Sequence, residues 1–406
     1  MRILYFSQYF PPEVGATQTR AYEMARGLVK DGHQVTMIAE VPNHPKGIIP
    51  PEYRGKLYER TTLDGFEVLR VWVKASPVKS FRSRLAFYIS YMMMAALAGL
   101  FLARGRYDAI YATSPPLFVG GAALAVSWLR RIPLFFEVRD LWPESAVALG
   151  ELNNPKAIRM AEFLEKSCYQ RAKKIIVVTK GIQANLLARG IPAEKITIIP
   201  NGANTELFQP KPEQGVALRE KLNLQHKFIV AYVGIHGVAQ GLEYVLEAAK
   251  KLPDYIFIFV GEGPAKAALV QQAEDIQCTN IIFHPEIPRE DVPDFLSMAN
   301  VALVPLRDLD LFKGAIPSKM FDSWACGCPT LITVSGEAQQ VLEEAQAGLW
   351  VEPENAKAIA DALSQMAQDV DLCREWGKNG RLTTIKTYSR QAQAQELVNL
   401  LIDAVA

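Results

Sequence analysis

The sequence predicts an α/β protein made of two Rossmann-like, doubly wound parallel-sheet domains. Three observations carry that expectation. Short apolar runs alternate with segments of helical period. The alternation restarts after Pro200-Asn201-Gly202. The chain has 406 residues, 50% of them from the AVILMFWYC set, enough to bury two or three cores.

Residues 3–6 form the first strand and residues 7–16 a loop. Ala21, Met24, Ala25, Leu28 and Val29 then share one helical face, and Gly32 ends that helix. Residues 35–39 are the next strand, which completes a βαβ unit and requires a parallel sheet. Further strands are expected at 109–112, 134–138, 174–178 and 196–199. In the second half, strands are expected at 228–234, 255–261, 280–283, 301–304 and 330–334, with a helix at 242–252. The polar stretch 203–214, with Pro210 and Pro212, reads as the linker. Ligands of such sheets bind at the carboxyl ends of the strands, here expected in a cleft between the domains.

Composition removes several classes. Charged residues make up 21% and the AVILMFWYC set 50%, which rules out disorder as the main state. With 44 basic and 43 acidic side chains the net charge is +1, so no global field favours nucleic acid or a membrane. The five cysteines, Cys168, Cys278, Cys326, Cys328 and Cys373, include no C-x-x-C pair, against a zinc ribbon or thioredoxin site and in keeping with a reducing compartment. Residues 1–6 are too short an apolar run for a signal peptide, which predicts a cytosolic-side protein. No metal-spaced His/Asp cluster and no G-x-S-x-G is present, so no metal is expected.

The clearest chemical constellation is Pro317-Ser318-Lys319 leading through Asp322 to Gly327 and Pro329. A proline, a serine and a lysine at a helix start offer open N–H groups and a point charge to a phosphate, although an ordinary capped helix has the same pattern. A second helix start follows the next strand at Gly336, Glu337 and Ala338. Glycine turns after strands recur at Gly15, at Gly234-Ile235-His236-Gly237 and at Gly261-Glu262-Gly263-Pro264, where a ligand can approach the backbone. None is G-x-G-x-x-G or a P-loop. His236, inside such a turn, is the best ligand candidate of the five histidines. After the strand at 134–138 come Arg139, Asp140 and Glu144, a polar group at a strand end. Arg139 could also simply pair with Asp140 or Glu144.

At these residues the chain resembles GT-B retaining nucleotide-sugar glycosyltransferases. More narrowly it resembles glycosyltransferase family 4, and within it the WbuB-like fucosamine and N-acetylhexosamine transferases of bacterial surface polysaccharide synthesis. The likeness rests on Tyr9-Phe10-Pro11-Pro12-Glu13 with Gly15, Val138 to Ser145, Ile199-Pro200-Asn201-Gly202, Gly237 to Leu242, Val260 to Pro264, and Pro317 to Pro329. It implies an acceptor-side domain at 1–205, a nucleotide-sugar domain at 206–385 and a C-terminal helix at 386–406 that packs back on the first domain. It implies transfer of a sugar from a UDP-sugar to a polyprenyl-diphosphate-linked or glycan acceptor, without cofactor or metal. The family's diphosphate-gripping Arg and Lys align with Ile235 and Gln240, so Lys319 and Lys313 are expected to supply charge, helped by the 336–338 helix start. Asp322 aligns with the second of two family glutamates, which hydrogen-bonds the donor ribose; the first aligns with Gly314. Gly15, His236, Gly237, Gln240, Gly261, Gly263, Pro317 and Ser318 are expected around the donor. Glu13, Arg139 and Glu144 are expected on the acceptor side, with Asp140 near the reacting sugar. A nucleotide-sugar epimerase of the same fold, or a non-catalytic sugar-nucleotide-binding subunit, is the alternative.

Residues 85–103 are nineteen without a charge. Between Glu67 and Asp108 there is no acid, but there are Arg70, Lys74, Lys79, Arg82, Arg84, Arg104 and Arg106. The length permits a transmembrane helix. A span would split one parallel sheet across the bilayer, and basic flanks on both sides give it no orientation. A buried core helix explains the apolar run but not the flanks. The segment 70–106 is therefore expected to lie on an anionic surface, the cytoplasmic face of the inner membrane.

Overall fold

A computed structural model of the chain describes residues 1–13, 15–44, 46–78, 80–148 and 152–405. Lys79 lies outside the described residues. The chain divides into two units, Met1–Pro200 with Gln391–Ala406, and Asn201–Arg390.

In the first unit the strands are β1 (Arg2–Phe6), β2 (Gln34–Glu40), β3 (Tyr58–Leu63), β4 (Phe66–Val71), β5 (Ala109–Ser114), β6 (Leu134–Val138), β7 (Ala172–Val177) and β8 (Ile196–Ile198). They form one sheet in the order β3-β4-β2-β1-β5-β6-β7-β8. All neighbours are parallel except β3 and β4. That hairpin is absent from the sequence reading. Its signal was available: Asp64 and Gly65 both take positive φ, 44° and 87°, as a type I′ turn demands.

Both faces of this sheet are covered. One carries the helices Phe81–Leu97, Phe118–Arg130 and Pro155–Arg171, whose Tyr91, Ala95, Val119, Val126, Ala161 and Cys168 join the core over Phe6 and Phe136. The other carries the helices Ala16–Lys30 and Arg390–Val405 over Tyr5, Tyr111 and Phe135. The last helix buries Ala394, Leu397, Val398 and Leu401 there. Gly27 is required at this contact, because a Cβ on it would stand 2.2 Å from Ala394 Cβ.

The second unit has β9 (Ile229–Val233), β10 (Ile256–Val260), β11 (Ile281–His284), β12 (Val301–Pro305), β13 (Thr330–Thr333) and β14 (Gly348–Trp350). They are parallel neighbours in the order β11-β10-β9-β12-β13-β14. In each sheet the strand order reverses beside the unit's first strand, β1 or β9, which is where such sheets bind ligands.

The expected boundaries at 205 and 385 shift to 200 and 390. The cause is a pairing of the two connecting segments: Ala203 bridges Ser389, and the Arg390 N–H donates to the Ala203 carbonyl at 2.9 Å. The stretch 203–214 is not a loose linker either. Phe208 is buried, and a helix begins at Pro212. The final helix starts at Arg390 rather than 386, since the preceding one runs through Thr387.

Candidate active site

In the second unit, residues from four strand ends converge. β9 runs into Gly234, whose φ of 145° favours glycine, and β10 into Gly261, at 139°. The two turns touch: a Cβ on Gly261 would stand 2.1 Å from the Gly234 carbonyl oxygen, and one on Gly263 2.4 Å from the His236 carbonyl oxygen. The His236 N–H donates to Glu262 O at 2.9 Å and locks the two loops together.

Lys319 lies on the helix Ser318–Ala325, which no side chain caps. Pro317 is the residue before that helix rather than its first turn. The Lys319 ammonium donates to the Tyr232 hydroxyl at 2.8 Å and stands 4.2 Å from the centre of that ring. The Tyr232 hydroxyl donates in turn to Ile235 O at 2.6 Å, so it can only accept from Lys319. Burial pulls the Lys319 ammonium down to about 7, and Asp322, one turn along the helix, opposes that shift. Lys319 is thus a cation with a neutral partner, beside a turn that a ligand can approach.

The other expected donor residues divide. His236 is fully buried among Tyr232, Phe259 and Phe283, with no hydrogen-bond partner for either ring nitrogen among the described residues. Burial, with Lys266 nearby, pulls its imidazole down to about 4. It is a neutral ring in an aromatic wall. Gly237 and Gln240 follow in the same loop, which Arg307 fastens from the end of β12: its Nε donates to Val238 O at 2.8 Å and its N–H to Ala239 O at 2.9 Å. Lys313 lies in the loop before the helix Ser318–Ala325. Its ammonium is exposed and paired with Asp310 at 2.6 Å. What it gives the site is its carbonyl, which accepts the Glu337 N–H at 2.9 Å and so occupies part of the 336–338 helix start. Gly336 is needed there, with φ of 88° and a virtual Cβ 2.1 Å from that carbonyl oxygen. The Ala338 side chain is core.

In the first unit, Glu13 accepts the N–H groups of Asn43 and His44 at 2.6 and 2.7 Å and so holds the loop after β2. Gly15 precedes the helix Ala16–Lys30. Arg139 ends β6; its backbone N–H donates to Ser114 O. Asp140 accepts from Ser145 Oγ at 2.8 Å, and burial pushes its carboxyl up against that bond. Glu144 pairs with Arg189, not with Arg139, and Arg189 also grips Glu165 through 3.1 Å contacts to both oxygens. A cavity of about 870 Å³ opens beside this group, lined by Pro143, Glu144, Glu165, Tyr169 and Arg189. Among the described residues no group of three or more His, Cys, Asp or Glu could hold a metal ion.

Tyr232, Arg307 and Lys266 were missed in the sequence. Tyr232 is hidden in an apolar strand run; Arg307 and Lys266 have no motif around them.

Two sheets that each reverse beside the first strand of their unit, with polar residues at the carboxyl ends of the strands, are the frame of nucleotide-binding α/β proteins. Residues 15–202 match the family described as glycosyl transferase 4-like domain, and residues 217–383 match glycosyl transferases group 1. Together these matches take in most of the chain, which belongs to the GT-B glycosyltransferases of the family-4-like kind and is an enzyme of the hexosyltransferase type. It is 26% identical over 375 residues to the putative colanic acid biosynthesis glycosyl transferase WcaI of Escherichia coli K12, covering 90% of this chain and 92% of the relative. It is 23% identical to the putative teichuronic acid biosynthesis glycosyltransferase TuaC of Bacillus subtilis, covering 90% and 89%. Among solved structures, sucrose-phosphate synthase from Thermosynechococcus elongatus matches with a TM-score of 0.75 at 21% identity over 99% of this chain and 98% of that one. Anabaena HepE in complex with UDP-glucose matches with a TM-score of 0.74 at 16% identity over 99% and 100%. These structural likenesses speak for the fold.

Proposed function

We propose that this enzyme is a retaining transferase of the WbuB-like subgroup, acting in bacterial surface polysaccharide synthesis. It moves an N-acetylhexosamine-type sugar from a UDP-sugar to a polyprenyl-diphosphate-linked or glycan acceptor. It needs no metal or cofactor and works on the cytoplasmic face of the inner membrane. The observation that carries the reading is Lys319, a half-buried cation whose only hydrogen-bond partner among the described residues is a neutral hydroxyl. The names of WcaI and TuaC point to polysaccharide synthesis, and HepE has been seen with UDP-glucose.

The chemistry follows from charge. As the bond between the sugar's C1 and the diphosphate oxygen breaks, negative charge grows on UDP. Lys319 and the uncapped start of its helix stabilise that charge. The acceptor hydroxyl oxygen bonds to C1 on the face UDP leaves, and its proton passes to a phosphate oxygen. Asp140 orients the reacting sugar rather than taking the proton.

The membrane reading rests on the helix Phe81–Leu97 and its continuation Ala98–Leu102, which are long and apolar enough to cross a bilayer. Only one face is core. Ile89, Met93, Leu97 and Phe101, four residues apart, are exposed, Phe101 by 74%. Trp128 and Leu129 are exposed on the helix packed beside it, and Met160 and Phe163 on the helix packed against that one in turn. The strands before and after this segment, β4 and β5, belong to one sheet, which supports a helix lying on a membrane surface rather than through it.

The test is thermal unfolding and product analysis with a panel of UDP-sugars. UDP should raise the melting temperature of the wild type and not of Lys319→Ala, and transfer should wait for acceptor. Isomerisation of the UDP-sugar without acceptor would make the enzyme an epimerase; no response to any nucleoside diphosphate would sink the reading.

A further inference from the structure

Beneath the acceptor-side motif lies a buried charge cluster with hydrogen-bond donors left over. The register pairs Tyr5 with Tyr111 and Thr113 with Glu137, which places these side chains on one face of the sheet, and Arg20 reaches them from the helix Ala16–Lys30. The Glu137 carboxylate is fully buried and fully used. Oε1 accepts from Arg20 Nε and from the Tyr111 hydroxyl, both at 2.8 Å, and Oε2 accepts from Thr113 Oγ1 at 2.5 Å. Arg20 is also used up, since its other nitrogens donate to Pro200 O at 2.7 Å and Ile199 O at 2.8 Å.

Arg139 has no such partners. Its Nε and Nη1 are buried and donate to nothing among the described residues, and the buried Tyr5 hydroxyl beside it has no partner either. Glu144 is engaged by Arg189, and Asp140 accepts from the neutral Ser145 hydroxyl. The charges of Glu137 and Asp140 both act on Arg139, yet neither carboxylate accepts a hydrogen bond from it among the described residues. A guanidinium keeps its proton in a protein, so these N–H groups stay donors. Buried donors without acceptors are costly, and an anion from outside the chain would satisfy them. Arg139 sits at the carboxyl end of β6, the edge where such sheets take ligands.

We propose that Arg139 binds a phosphate oxyanion of a substrate, pairing with its oxygens through the open Nε–H and Nη1–H. This rests on the glycosyltransferase reading, in which both substrates carry phosphate. The source is the donor diphosphate or the diphosphate of a lipid-linked acceptor.

The experiment uses the full-length protein, Arg139→Gln and Arg139→Lys. Lys319 is present in both, so the melting-temperature shift from inorganic diphosphate should be clearly smaller in Arg139→Gln than in the wild type. If that difference persists under saturating UDP, the site belongs to the acceptor; if UDP abolishes it, it belongs to the donor. In turnover, Arg139→Gln should raise KM for the matching substrate about 10- to 100-fold, with KM for the other unchanged and Arg139→Lys recovering part of the loss. The inference is overturned if neither KM moves while stability alone falls, which would make Arg139 a neutraliser of Glu137. If UDP itself fails to stabilise the wild type, the fault lies with the glycosyltransferase reading instead.

Discussion

Lys319 shows how one residue can tie donor binding to pH. A lysine ordinarily titrates near 10.5, and burial brings this one to about 7. Below pH 7 the ammonium is charged and ready for a diphosphate. Above it the apo enzyme is increasingly neutral, and an incoming anion must restore the proton. Donor affinity should therefore be flat below pH 7 and fall above it, by up to about tenfold per pH unit. Calorimetry of UDP binding at pH 8 to 9 in buffers of different ionisation enthalpy should show uptake of close to one proton. Lys319→Arg, always charged, should bind without uptake and with a flat profile. The sign for stability is the reverse of that for binding. A folded value below the unfolded one means that the burial cost is present at low pH and is relieved as pH rises from about 7 toward 10.5. A flat donor affinity from pH 6 to 9 in the wild type would remove Lys319 from the diphosphate.

At the scale of elements, the segment 81–102 is the piece whose composition and position disagree. Ser80 caps it by accepting the Ser83 N–H at 3.2 Å. Arg130 closes its far end, with Nη1 donating to Gly99 O at 2.8 Å and Ala103 O at 2.9 Å. Gly99 lets the neighbouring helix approach, since a Cβ there would stand 2.8 Å from Val126 Cγ2. The helix is thus fixed along one face, and its opposite face is apolar and exposed. Replacing Met93, Leu97 and Phe101 with Ser should leave folding intact and weaken binding to anionic vesicles. Each exposed side chain that dips into lipid contributes on the order of 1 kcal/mol or more. Co-sedimentation with vesicles at low and high salt checks this. Binding of the triple variant equal to that of the wild type would assign the stripe to another partner.

For the whole molecule, the return of the chain end to the first unit is decisive. Leu397, Val398 and Leu401 are buried to the last few per cent in the core over Tyr5 and Phe135. At ~1.5–3 kcal/mol for each fully buried aliphatic side chain, the helix contributes about as much as a domain's entire net stability. Deleting residues 391–406 should abolish cooperative melting of the first unit. The second unit, whose cores over Phe259 and Trp324 include nothing beyond Tyr388, should keep its transition. Scanning calorimetry with UDP present reads both. A truncated chain with both transitions unchanged would show that the helix only covers a surface.

The sequence by itself determined the elements and their class. Strand and helix periods are local, so the βαβ order, the restart after Gly202 and the turns at Gly234, Gly261 and Gly336 are written in runs of a few residues. The helix start at Ser318 and its lysine were legible for the same reason. The tertiary structure alone decided who meets whom. Lys319 finds Tyr232, 87 residues away, and Arg20 finds Glu137, 117 residues away. It also decided that Lys313 turns to Asp310 and offers its carbonyl, and that Glu144 goes to Arg189 and leaves the Arg139 Nε–H and Nη1–H without acceptors among the described residues. A charge is visible in one letter of sequence. Its partner is set by which strands are neighbours and in what register, and that is fixed only when the sheet closes over its core.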